Sequence, residues 1–293
     1  MLLDYVILKD IKPALAGYIK ESQTLLRGSL VPDEKVIHGV RVLMKKSRAA
    51  LKLVSTQIDS DSFDRDMLAL RSVGRLMSSW RETSVHRNTL KELKKRYPAI
   101  FSQIQDNEKI KALLKKTETV SDLSGAIKTG YDEIDTLLLK TGYRIRFQSM
   151  NNFDPQLLLK ELETTYYNVV DKYLICRNYP KNSNIHEFRK ITKDFLFQLY
   201  FFRPLNPVYI KTLEKKLDKM TRILGKHHDL TQIVKVLEYK YPDTGNLPQM
   251  DEFIIKIREM QDTCLSKVWT TAGKIFRPGQ KLEIALGFKL VVM

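Results

Sequence analysis

Apolar positions recur at spacings of three and four along most of the chain, the pattern of a helix with one buried face. This pattern predicts helices over about 9–27, 33–58, 63–82, 84–96, 98–116, 118–141, 154–176, 183–202, 206–226, 228–240 and 248–272. Gly28, Pro32, Pro98, Gly142, Pro155, Pro180, Pro204, Pro207, Pro242, Gly245 and Pro248 fall between or at the ends of these segments. Pro32 followed by Asp33-Glu34 suits a helix start, where the first amides have no intrahelical acceptor and anions are favoured. The tail, 273–293, breaks the pattern. Its Pro278-Gly279 pair and the alternation of Lys281-Leu282-Glu283-Ile284 are consistent with a short hairpin or an irregular cover. The expected class is all-α.

The pattern also repeats. His38, Arg41 and Lys45 return as His186, Arg189 and Lys193, with identical internal spacing and an offset of 148 residues. Downstream, 73–85 aligns with 220–233 at an offset of 147, which pairs Arg75 with Arg222, Ser79 with Lys226 and Arg81-Glu82 with His228-Asp229. Two separated blocks at nearly one offset point to an internal duplication. The expected organisation is a single domain over 1–293, with repeats at about 7–145 and 150–272 joined through the polar stretch near Tyr143–Asp154.

On a helical wheel at 100° per residue, His38, Arg41, Lys45, Arg48 and Lys52 share an arc of about 80° over about four turns. The stretch 36–52 holds no acidic residue, Lys46 lies off the arc, and most other positions are apolar. A surface helix normally has a narrow apolar face and a wide polar one. The inverse here predicts a helix buried on most sides, with one cationic strip facing an opening. His186, Arg189 and Lys193 repeat the arc with Lys190 beside them, but Leu196 and Tyr200 replace the cations at the far end. Two further cationic faces follow: Lys215, Lys219, Arg222 and Lys226 opposite Leu213, Leu217, Met220 and Leu224, and Arg71 and Arg75 opposite Leu70, Val73, Met77 and Trp80.

Charge sharpens this picture. Among 293 residues, 50 Lys and Arg stand against 34 Asp and Glu, a net charge of +16. Such an excess repels itself and is relieved by nucleic acid, an anionic membrane or another polyanion. A basic protein without such a ligand is the competing reading, and a charged face is most often simply solvated. The first stripe lacks the i,i+4 ion pairs that would offset its repulsion. Arg offers a planar fork to phosphate oxygens and Lys a mobile point charge. His38 and His186 are candidate phosphate donors or packed structural residues.

The excluded chemistry is broad. The chain has five histidines and neither HExxH nor another metal-ligand spacing. His227-His228-Asp229 reads as a helix-end cap or ion pair before it reads as a metal site. No GxxxxGK[ST] loop and no GxSxG elbow occur. No catalytic residue, metal or cofactor is expected, and the chain is not expected to be an enzyme. Cys176 and Cys264 form no CxxC pair, which favours a reducing compartment. With no secretory signal at the N-terminus and no apolar run of about 18–20 residues, a cytoplasmic protein is expected.

At these residues the chain resembles the CHAD family, the conserved histidine α-helical domain. The family's first helix reads His-x-x-Arg-Val-x-x-[Lys/Arg]-[Lys/Arg]-x-Arg, and here the matching residues are His38, Arg41-Val42, Lys45-Lys46 and Arg48. His186, Arg189 and Lys193 match the second repeat, and Leu224-Gly225 with His228-Asp229 is similar to a later LG…HD segment. Arg81-Glu82-Thr83-Ser84-Val85 stands where the family has RDxDV, with both acids changed, and Leu196 stands where a basic residue is usual. The resemblance covers about 7–272. It implies two pseudo-symmetric four-helix bundles around a basic groove or pore, binding of inorganic polyphosphate, and association with polyphosphate granules. The ExExK signature of the triphosphate-tunnel domain that sometimes accompanies such modules is absent, so a stand-alone module is expected. Nucleic-acid backbone binding and a helical scaffold for acidic protein partners remain alternatives. Stacking on bases would need aromatics among the cations, and Phe197 and Tyr200 lie near the second stripe only. A membrane-surface role is disfavoured, since the apolar faces are needed for packing.

Overall fold

The computed structural model describes residues 8–28, 33–114, 124–150, 153–238 and 248–288, with the side chains at 79–83 and 124–129 outside that description. Among the described residues every regular element is a helix. They are α1 (Ile11–Arg27), α2 (Glu34–Leu53), α3 (Ser60–Arg96), α4 (Pro98–Ile104), α5 (Glu108–Leu114), α6 (Ser124–Phe147), α7 (Pro155–Asn178), α8 (Asn182–Phe202), α9 (Pro207–Glu238), α10 (Pro248–Ile275) and α11 (Leu282–Leu286).

Local chemistry fixes several starts. The Asp33, Asp59 and Asp154 carboxylates accept from the backbone N–H groups of Val36, Ser62 and Gln156, at 2.8, 2.9 and 2.8 Å. Each satisfies a first-turn donor that has no intrahelical acceptor. In α7 the cap is followed by Pro155, whose fixed φ suits the first helical position.

The helices form two groups. In the first, α1 packs on α2 and α6, and α3 packs on α2 and α6; in the second, α7 packs on α8, α8 on α9 and α9 on α10. The groups meet where α2 crosses α8 and α3 crosses α9. The main core runs through both groups, from Leu15, Val40 and Met44 to Tyr166, Phe188 and Phe195. Burying each such large side chain contributes about 1.5–3 kcal/mol. A second core joins Leu90, Phe101 and Ile110 to Leu230, Ile233 and Phe253, with α4 lying on α3 and α10 and α5 on α3.

That second core accounts for two departures from the expected elements. The segments 63–82 and 84–96 are one helix, and over its described residues 207–238 the pair expected at 206–226 and 228–240 is also one helix, because α3 and α9 each extend from the main core into the second. No Gly or Pro stands at either expected break, 83 or 227. The segment 98–116 divides instead. The Asn107 side chain accepts from Lys109 N–H at 3.0 Å and starts α5. The tail forms no hairpin over its described residues: Leu282 and Leu286 bury one face of α11, and Gly287, at φ 80°, ends it in the left-handed conformation glycine favours. The join between halves is shorter than expected, because α6 runs to Phe147. Pro32, Asn151-Asn152, Pro242 and Gly245 lie outside the described residues, as does the Trp80 side chain.

Candidate polyanion-binding site

The crossing of α2 and α8 sets the two His-x-x-Arg helices against each other. Lys45 of α2 is near enough to His186 of α8 to act on its charge. Partial burial, then Arg189, hold the His186 pKa below its usual value, with Lys190 and Lys45 in the same direction and Glu187 opposing. Arg48 is half-buried, and its Nε is buried without a hydrogen-bond partner. Burial lowers its pKa and Arg71 of α3 adds to that, while Asp194 of α8 opposes. Lys52 Nζ lies 2.5 Å from Asp194 Oδ2, and Gln198 Nε2 donates to Ala49 O at 3.3 Å. The α2 stripe therefore follows α8, with Arg71 approaching from α3.

The two stripe arginines meet their next helix in corresponding ways. Arg41 Nη1 donates to Gly74 O and Ser78 Oγ of α3, each at 2.6 Å. The Arg189 guanidinium lies against Gly225 of α9, where a Cβ would stand 3.2 Å from Nη2 and 3.5 Å from Nε. Ser78 and Gly225 are 147 residues apart, the offset of the downstream repeat block. Gly225 is thus a mid-helix glycine that lets a guanidinium approach the backbone. A glycine inside an apolar helical pattern was the available signal for that packing.

The remaining candidates are placed less uniformly. His38, Arg71, Arg75, Lys190, Lys215, Lys219 and Arg222 are exposed, and Lys193 is half-buried with Nζ 5.8 Å from the Phe197 ring centroid. The expectation of cations without carboxylates is corrected. Asp194 reaches Lys52, Glu187 lies 3.2 Å from Lys190, Asp218 lies 3.1 Å from Arg222, and Glu92 of α3 pairs with Lys226. The stripe on α2 is acid-free along its own helix, but two of these acids, Asp194 and Glu92, come from neighbouring helices, a placement that no single-helix wheel reveals.

Nor do the α9 cations share one cavity. Lys215 lines a cavity of ≈ 560 Å³ with Tyr18, Lys46, Phe197, Tyr200 and Lys211. Arg222 and Lys226 line another of ≈ 300 Å³ with Arg96 and Lys267. Lys46, off the arc by sequence, therefore faces the first of these cavities, which Glu214 and Asp218 also line, with its Nζ 5.5 Å from the Tyr18 ring centroid.

A third cavity, of ≈ 340 Å³, lies between α8 and α9. The His186 and His228 rings face each other there with centroids 5.0 Å apart. Burial, reinforced by His186, Arg189, Lys235 and His227, pushes the His228 pKa down to about 4. His227-His228-Asp229 is no helix-end cap, because α9 continues to Glu238. No group of three or more His, Cys, Asp or Glu side chains among the described residues is placed to hold a metal ion. Cys176 and Cys264 are buried and unbridged. No helix of the described residues is long and apolar enough to cross a membrane.

A comparison with curated proteins finds no match. Comparison with protein families matches residues 11–238 to the CHAD domain. That stretch runs from the first residue of α1 to the last of α9 and carries both crossed histidine helices, so the chain belongs to the CHAD domain family.

Proposed function

We propose that the protein binds inorganic polyphosphate along the α2–α8 crossing and catalyses no reaction on it. One observation carries the reading: the two helices whose stripes repeat in sequence pack on each other, with Lys45 near enough to act on His186 and with both Asp194 and Arg71 acting on Arg48. A ligand with a negative charge on every unit gains from each cation along such a path. It also releases bound counterions, which makes affinity fall as salt rises. Membership of the CHAD family agrees with this reading.

In the same reading the chain is two pseudo-symmetric four-helix bundles, α1, α2, α3 and α6 against α7 to α10, with a basic groove where they meet. The equivalent seating of Arg41 at Ser78 and Arg189 at Gly225 supports it. The polymer path takes in His38, Arg41, Lys45, Arg48, Lys52, Arg71, His186, Arg189 and Lys193. The cations of α9 extend it on the outer faces. In cells the protein is placed in the cytoplasm, with polyphosphate granules.

Nucleic-acid backbone binding is the second reading, favoured by the cavity that combines Tyr18, Phe197 and Tyr200 with Lys46. Against base stacking there, Lys9 and Arg203 already stand over the Tyr200 ring, 4.0 and 4.8 Å from its centroid. Competition decides between the two. Long-chain polyphosphate is expected to displace single-stranded DNA at equal charge concentration and physiological salt. DNA winning that competition, or no binding of polyphosphate, would overturn the proposal.

A further inference from the structure

We propose that the cavity between α8 and α9 seats the terminal phosphoryl group of a linear polyphosphate. The inference rests on the polyphosphate reading above: the cavity shares His186 and Arg189 with the proposed path and forms its terminus. His186 enters from α8 and His228 from α9, their ring centroids 5.0 Å apart and their planes tilted by 40°. Arg189 and Lys235 line the same space, with Asn182 and Gln232 as neutral hydrogen-bonding groups. At ≈ 340 Å³ the cavity is near the lower end of the roughly 300–1,000 Å³ that holds a drug-sized ligand. That is room for the last units of a chain.

The chemistry selects an end. An internal phosphoryl unit carries one charge, whereas a terminal one has a second ionisable oxygen with a pKa of about 6. Near neutral pH the terminal unit is the most charged, and it gains most from donors gathered on several sides. A neutral imidazole offers one donor and one acceptor, and the protonated ring offers two donors. The charged groups around the pair are Glu187, Arg189 and Lys190 on α8, Lys235 on α9 and Lys45 on α2, while Asp262 of α10 acts on the adjacent His227. In the unliganded protein burial and these cations keep both rings neutral at pH 7. A dianion seated in the cavity beside the two rings reverses the local field, so the rings take up protons as the cavity fills, and affinity rises as pH falls below neutral. The terminal phosphoryl loses charge over a similar range, so the histidine contribution is isolated with variants.

The test compares tripolyphosphate, which is linear and has two ends, with cyclic trimetaphosphate, which has none. Calorimetry on the full chain, in two buffers of different ionisation enthalpy, gives both affinity and proton uptake. The decisive quantity is the linear-to-cyclic affinity ratio in His186→Gln and His228→Gln relative to the parent, which cancels the difference in ligand charge. The ratio is expected to fall about tenfold in either variant, the loss of one charge-assisted hydrogen bond, and proton uptake with the linear ligand to shrink. His186 is more exposed than His228, so His186→Gln serves as the readout if His228→Gln fails to fold. An unchanged ratio, or unchanged proton uptake, overturns the end-group site. If the parent protein binds long-chain polyphosphate but shows no such histidine dependence, this inference alone falls. If it binds no polyphosphate of any length, the proposed function falls with it.

Discussion

Lys52 Nζ sits 2.5 Å from Asp194 Oδ2, tying the far end of the α2 stripe to an acid on α8. The same carboxylate acts on Arg48, opposing the effect of burial there. One acid thus partly neutralises two cations of the proposed path, and an incoming phosphate has to compete with it. Asp194→Asn is expected to tighten polyphosphate binding several-fold and steepen its salt dependence. Losing a part-buried ion pair is expected to cost about 1 kcal/mol of stability. Titrations across a salt series and urea unfolding check both halves. Weaker binding by a folded variant would mean that Asp194 organises the path instead of competing for it.

Arg41 and Lys45 share an arc but not a role. Arg41 is held by the Gly74 carbonyl and the Ser78 hydroxyl, so its replacement disturbs the α2–α3 contact as well as any ligand. Lys45→Gln is the cleaner probe. It is expected to weaken polyphosphate binding about fivefold and to reduce the salt slope by about one, with helicity unchanged by circular dichroism. Lys46→Gln is expected to cost less, since Lys46 faces the Tyr18 cavity. An equal or larger loss at Lys46 would move the polymer path to that cavity.

Asp66 is buried in α3, and Arg144 of α6 donates to its Oδ1 from Nε at 2.6 Å, with Nη2 on Thr141 Oγ1 at 3.0 Å. The pair ties the last turn of α6 to the first part of α3 and involves none of the stripe residues. Asp66→Asn leaves the guanidinium facing a neutral amide in a part-buried site. The expected cost is about 2–3 kcal/mol in unfolding, with polyphosphate affinity unchanged once the protein is folded. A cost near zero would show that water replaces the carboxylate there.

Helix content was legible because the three-and-four spacing of apolar residues is a local signal, and the repeat was legible because the offset is nearly constant. The continuity of α3 and α9 was not. It depends on a second core assembled from Leu90, Phe101, Leu230 and Phe253, residues that are distant in sequence. The stripes on α2 and α8 were visible as arcs, but Asp194 sits at a position that a wheel drawn for α8 alone cannot relate to Lys52. By sequence alone His228 reads as a helix-end cap or an ion-pair residue. Its ring contact with His186 spans 42 positions of sequence, and no spacing rule reaches that far. Packing decides which charges meet, and packing between helices is the part the pattern leaves open.

The acid limb of stability should report that histidine contact. His228 has a folded pKa of about 4 against an ordinary 6.5, held down first by burial and then by His186 and Arg189. His186 and His227 are shifted in the same direction. Below pH 6.5 the unfolded chain binds protons that the folded protein refuses, so stability rises with pH in this window. Stability is therefore complete above about 6.5 and declines as pH falls toward about 4. The urea midpoint, followed across that range, is expected to drop in the parent protein and to drop less in His228→Gln. Saturating polyphosphate is expected to flatten the decline by favouring the protonated rings in the folded state. The same decline in parent and variant would assign the acid limb to other groups and remove His228 as its source.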